Sequence, residues 1–285
     1  MAINWYPGHM NKARREIGEA MGRTSLVIEL VDARIPFSSE NPLVAELRRD
    51  TPCLKILNKA DLADPEVTAQ WLAHFEQDES VSAMALNQKE RVNTKSILEA
   101  GRALLPADRS TKKSINAMIL GVPNVGKSTL INTLAGRAIA KTGNVPAVTK
   151  RQHRIPIGGN FVLLDTPGFL WPKLSPEACG YRLGITGAIR DAVIEFEDLA
   201  FFAVRYIADR YPDALKSRYK LEEVPQEEMD ILEAIAERRG CIGRNHTVNL
   251  QKVCELLIRE FRQGALGPIS LETPADIEAE QATIA

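Results

Sequence analysis

Between residues 25 and 168 short apolar runs alternate with stretches whose apolar residues recur at helical spacing. The runs Leu26–Val31, Cys53–Leu57, Val81–Leu86, Ile115–Leu120, Arg154–Ile157 and Phe161–Leu164 have the length and side-chain types of strands. Pro42–Arg49, Glu66–Phe75, Thr94–Leu105 and Lys127–Ala135 read as helices between them. This alternation predicts an α/β fold, a mostly parallel sheet with helices on both faces. Gly158-Gly159-Asn160 has hairpin turn chemistry, so one antiparallel strand is expected. After Pro176 the strand signals fade and three helical patterns follow, Ile194–Tyr211, Gln226–Arg239 and Val248–Arg262. Residues 264–285 hold Gly, Pro, Thr and acidic side chains and read as a C-terminal tail. The expected layout is an α/β domain over 1–176, a smaller all-α domain over 177–263, and that tail.

Composition narrows the class. The chain has 285 residues, 45% hydrophobic and 26% charged, which suits a globular protein with a substantial core and argues against disorder or coiled coil. No run approaches the roughly 20 apolar residues of a membrane span, and Glu29 interrupts the best early one. No membrane partner is expected. The N-terminus lacks the apolar stretch of a secretory signal, and Glu16 and Glu19 argue against an Arg-rich transit peptide, so a cytoplasmic location is the expectation. The four cysteines form no CxxC pair, which speaks against zinc or a disulfide framework. A net charge of −1 nominates no polyanionic partner at the level of the whole chain.

Local chemistry is more specific. Gly121-Val-Pro-Asn124-Val125-Gly126-Lys127-Ser128-Thr129 matches GxxxxGK[ST] between a strand and a helix, the context of a phosphate-binding loop. Its amide groups and the helix N-terminus suit phosphate oxygens, Lys127 suits the β- and γ-phosphates, and Ser128 suits Mg²⁺. Asp165-Thr166-Pro167-Gly168 ends a strand downstream, where Asp165 can hold the metal through water and Gly168 can offer its amide to the γ-phosphate. Asn58-Lys59-Ala60-Asp61 follows the strand CLKIL and has the NKxD arrangement. The Asp61 carboxylate can accept from guanine N1–H and the 2-amino group, a donor pair adenine lacks. Together these point to GTP and GDP.

The order of the three signatures is unusual. A GTPase ordinarily places its phosphate loop first, yet here NKAD at 58–61 precedes the loop at 121–129 and DTPG comes last. The sequence resembles a circularly permuted P-loop GTPase, with the original ends joined near residues 101–113. Joining is physically mild because domain termini usually lie close together at the surface. Trp5-Tyr6-Pro7-Gly8-His9-Met10, Val31-Asp32-Ala33-Arg34-Ile35-Pro36 and the permuted signatures resemble the YlqF/RbgA family over about residues 4–262.

That resemblance implies a GTPase that binds the large ribosomal subunit or its precursor, contacts rRNA through its helical domain, and hydrolyses GTP at a late step of subunit assembly. Phe169 stands where many small GTPases carry a water-orienting glutamine, and a phenyl ring cannot do that work. The resemblance assigns the role to His9, with His153 the competing histidine. It also makes Thr149 the switch residue that closes on Mg²⁺, although PAVT replaces the usual PG[IV]T. Asn124 resembles the asparagine of potassium-activated GTPases, which makes K⁺ a further candidate cofactor. The fifth signature is Ser82-Ala83 or, by strand-end position and resemblance, Asn87. Residues 121–177 carry seven basic and two acidic side chains, and Lys150, Arg151 and Arg154 flank the switch. A basic face of Arg182, Arg190, Arg205 and Arg210 is a candidate RNA contact. The simplest oligomeric state is a monomer. Two alternatives stand beside this reading: a nucleotide-gated RNA-binding module with negligible hydrolysis, and an organellar relative.

Overall fold

A computed structural model describes residues 15–87, 90, 92–111, 114–139, 154–165 (Asp165 by its backbone), 170–171, 174–243 and 247–284. The sheet has six strands: β1 (Leu26–Asp32), β2 (Cys53–Asn58), β3 (Val81–Leu86), β4 (Ile115–Gly121), β5 (Arg154–Gly158) and β6 (Phe161–Asp165). Their spatial order is β3-β2-β1-β4-β6-β5. All neighbours are parallel except β5 and β6, which form the expected hairpin through Gly158 and Gly159, both at positive φ. Counted from β4 as strand one, the same sheet reads 6-5-4-1-3-2. Cutting the chain before the phosphate loop would thus leave the sheet intact, which is the structural content of a circular permutation.

Residues 15–21 are helical and are labelled α1. Helices α2 (Pro42–Arg48), α3 (Pro65–Phe75), α4 (Thr94–Ala103), α5 (Ala107–Ser110) and α6 (Lys127–Ala135) occupy the stretches between strands. Side chains alternate across each strand, and both faces are covered. Leu26, Ile28 and Leu30 enter one core, while Val27 and Val31 enter a second with Ile17, Trp71 and Phe75. Glu29, the charge that interrupts the first apolar run, lies opposite Lys55 on β2 and pairs with it at 2.8 Å. Among the described residues no helix is long and apolar enough to cross a membrane.

Helices α7 (Ala178–Thr186), α8 (Phe196–Arg210), α9 (Pro212–Tyr219), α10 (Glu228–Arg239) and α11 (Leu250–Gln263) follow the sheet. Ile231 and Ile235 of α10 meet Cys254, Leu257 and Ile258 of α11 in a buried cluster. Residues 264–284 are not a tail. Leu266, Ile269 and Leu271 are buried, and α12 (Pro274–Ile284) places Ile277 in the core shared with α1 and α3. The chain end therefore returns to the sheet. Its few apolar residues are irregularly spaced among Gly, Pro, Ser and Thr, so no period marked the segment as structured.

The expected basic face also changes. Arg182 is 1% exposed and sits between Glu280 and Glu272, with Nε donating to the Leu271 carbonyl. Arg205 pairs with Glu228, and Arg210 with Asp209 and Asp276. Acidic partners distant in sequence claim three of the four arginines.

Candidate functional site

Parallel strands of an α/β sheet place ligand sites beyond their C-terminal ends, at the point where successive strands depart to opposite sides. That point lies between β1 and β4. Asp32 is in register with Asn58, Leu30 with Gly121, and Ile119 with Asp165. The NKAD turn, the phosphate loop and the strand end carrying DTPG thus converge on one edge of the sheet.

The phosphate loop leaves β4 under tight steric control. A Cβ at Gly121 would lie 2.8 Å from the Leu30 carbonyl oxygen and 2.9 Å from Val125 Cγ1. Only glycine lets this strand end approach β1 so closely. Asn124 and Gly126 have φ of 58° and 103°, which turns the loop into α6. Asparagine tolerates the left-handed region better than most side chains, and glycine adopts it freely. Lys127 starts α6 and is 8% exposed, Ser128 is half-buried and Thr129 exposed. A buried lysine at a helix N-terminus opening from a turn suits an anionic ligand.

The base-recognition turn is built onto the phosphate loop. Asn58 is buried, and its Nδ2 donates to the Val125 carbonyl at 2.6 Å. This bond joins signatures that lie 67 positions apart in the chain. Lys59 takes a left-handed conformation, and Ala60–Leu62 form a 3₁₀ turn that leaves Asp61 half-buried. Asp64 then caps α3 by accepting from the amides of Glu66 and Val67.

Two residues with no role assigned from sequence hold Lys59 in place. Asp32 accepts the Lys59 ammonium at 2.9 Å and receives two bonds from the Arg34 guanidinium, at 2.8 and 2.7 Å. Burial alone would raise the Asp32 carboxyl, but the Arg34 and Lys59 charges outweigh it and hold the group well below the ordinary carboxylate range. Asp32 is therefore a fixed anion beneath the base turn. VDARIP was visible as a motif, yet its function needed the register of β1 with β2.

Asn87 follows β3 at the same sheet edge, because Leu86 is opposite Asn58, and its Nδ2 donates to Glu90 at 2.9 Å. The alternative Ser82 lies opposite Leu54, well back from that edge. Asn124 reaches in the other direction: its Nδ2 donates to the carbonyl of Gly187, the left-handed cap of α7, at 2.8 Å. The phosphate loop thus touches the helical region directly. His9, Thr149, Gly168 and His153 lie outside the described residues, as do Lys150 and Arg151. Arg154 is exposed on β5 and donates to Asn116.

Comparison with known proteins agrees with this geometry. A family described as "50S ribosome-binding GTPase" matches residues 116–239. Ribosome biogenesis GTPase A of Bacillus licheniformis is 44% identical over 284 residues, covering 97% of this chain and 100% of that protein. The protein of the same name from Bacillus pumilus is 43% identical, with coverages of 96% and 99%. The crystal structure of GNP-bound YlqF from T. maritima is similar with a TM-score of 0.65 and 25% identity, over 93% of this chain and 99% of that one. Near-complete coverage at this identity, with the permuted sheet order, places the chain in the ribosome biogenesis GTPase A (YlqF/RbgA) family.

Proposed function

We propose that this chain binds GTP in the crevice between β1 and β4, hydrolyses it to GDP and phosphate, and uses the cycle to drive a late step in assembly of the large ribosomal subunit. The observation that carries the nucleotide reading is the Asn58–Val125 bond, which fixes the base turn at a set distance from the phosphate loop. In this reading Asp61 accepts from guanine N1–H and the 2-amino group, and Lys59 lies along the base. Asn87 borders the base from β3. Lys127 and the amides of Val125, Gly126, Ser128 and Thr129 hold the phosphates, and Gly168 adds its amide at the γ-position.

A GTPase of this family implies a divalent metal such as Mg²⁺. The donor set suits a hard cation: Ser128 offers a hydroxyl in the first turn of α6, and Asp165 ends the strand paired with β4. Ser128, Thr149 and Asp165 would hold Mg²⁺, which when bound offsets phosphate charge. Asn124 uses its Nδ2 on Gly187, and its Oδ1 is the proposed K⁺ ligand. His9 is the proposed water-orienting group, with neutral imidazole as acceptor. The helical region is the proposed ribosome and rRNA contact, the chain acts as a cytoplasmic monomer, and no membrane is involved.

The test is GTP turnover in K⁺ buffer with and without large ribosomal subunits. Stimulation by the particle, lost in His9→Ala, is the expected result. Turnover indifferent to both the mature particle and its immature precursor would contradict the ribosomal part of this reading. Stimulation retained in His9→Ala would remove His9 from catalysis.

A further inference from the structure

Within the turn 59–64 that carries Asp61, the Leu62 amide donates to the Lys59 carbonyl at 2.9 Å and the Ala63 amide to the Ala60 carbonyl at 3.3 Å. Lys59 is left-handed and only one 3₁₀ turn follows before the cap of α3. Further constraints come from the returning C-terminal strap. The Leu62 carbonyl accepts from the Ile269 amide at 3.0 Å, and the Asp64 amide donates to Ser270 Oγ at 3.2 Å, across 206 positions of sequence. These two contacts flank Asp61 on its C-terminal side. Gly264 makes the approach possible: its φ is +74°, and a Cβ there would sit 2.6 Å from Leu62 Cδ2.

The strap is itself anchored on three sides. The Leu271 amide donates to the Arg34 carbonyl at 2.8 Å, next to the Asp32–Lys59 pair. Trp71 Nε1 of α3 donates to the Glu272 carbonyl at 3.1 Å. The Glu272 carboxylate, 0% exposed, accepts from the Ser38 amide at 2.9 Å and from the Ser38 hydroxyl, and faces Arg182 of α7 at 3.5 Å. Arg34 also lies over the Phe261 ring of α11, 5.3 Å from its centroid. The base turn, the VDARIP loop and two helices of the helical region therefore meet at one strap.

We propose that residues 269–272 position the turn bearing Asp61, so that discrimination for guanine depends on the C-terminal strap as well as on the NKAD signature. This rests on the reading in which Asp61 accepts from guanine. The strap residues touch no base atom; they act by holding the turn where the carboxylate meets both donors. A carboxylate displaced by a fraction of an ångström would lose the second bond before the first, because a two-point acceptor demands orientation as well as distance.

The experiment compares affinities of the full-length protein for GDP and inosine diphosphate, which keeps N1–H and lacks the 2-amino group. General loss of folded protein lowers both affinities alike and leaves their ratio unchanged. Asp61→Asn should abolish the preference for GDP. Glu272→Lys, which sets a cation against Arg182, should reduce the GDP preference by about tenfold, the scale of one lost hydrogen bond to a charged acceptor. Ser270→Ala removes a single contact, should fold even if Glu272→Lys does not, and should reduce it about threefold. Strap variants that keep the wild-type ratio while Asp61→Asn loses it would overturn the proposal and leave the strap a stabilising element only. An unchanged ratio in Asp61→Asn would overturn the guanine reading itself, and this proposal with it.

Discussion

At the base end of the crevice, the turn 58–64 is held by main-chain and side-chain bonds from β1, the phosphate loop and the C-terminal strap. At the phosphate end, the described loop meets the helical region through one exposed asparagine, Asn124 bonding Gly187. Both ends contact α7, but the contacts differ in kind. The base end uses groups that are fully buried, Glu272 and Arg182 among them, so each lost partner leaves a polar group without water. The phosphate end uses a bond that solvent can replace. The first arrangement suits a fixed recognition surface, and the second suits a contact that changes with the phosphate ligand.

The largest expected effect breaks the buried side of this comparison. Arg182→Ala leaves Glu272 and Glu280 without their shared cation, and should cost about 3–5 kcal/mol of unfolding free energy by denaturant titration. Next comes a pH effect at the same place. Burial pushes the Glu272 carboxyl up to about 7, more than the facing Arg182 and Ser38 lower it; Glu280 and the Cys179 thiol stand beside them. The folded pKa is above the unfolded one, so stability is fullest at low pH and is lost as pH rises towards 7. Relative to Glu272→Gln, the wild type should lose about 3 kcal/mol between pH 4.5 and 7, read from paired unfolding curves. A gap between the two proteins that is constant with pH would contradict this.

Asn124→Ala should cost only about 1 kcal/mol, from one exposed bond and a left-handed residue, and Asn124→Gly less. Arg205→Ala, which removes an ion pair whose arginine is mostly exposed, should leave the denaturation midpoint close to that of the wild type. If Asn124→Ala proved as costly as Arg182→Ala, the contrast between the two ends would fail.

What the sequence made legible follows the same division. Strands β1, β2 and β4 could be read because buried parallel strands are continuous apolar runs, the β5–β6 hairpin because of the glycines in its turn, and the glycines and lysine of the phosphate loop because their spacing is set by local geometry. The strap could not be read, because its bonds are to residues about two hundred positions earlier and its apolar residues follow no period. Arg182 shows the limit most clearly. It belongs to the candidate basic face, yet it is buried and paired with two glutamates from the last stretch of chain. Asp32 and Arg34 lie between these cases, conspicuous as a motif but without a role until Lys59 stood beside them.

The most direct test of a base end fastened by the chain's own C-terminal strap is amide hydrogen exchange on the full-length protein, with GDP and with a non-hydrolysable GTP analogue. The amides of Asp64, Ile269 and Leu271 should exchange only at the rate of global unfolding, and equally slowly with either nucleotide. Exchange of these three amides much faster than global unfolding would mean that the strap opens by itself, and would contradict the account.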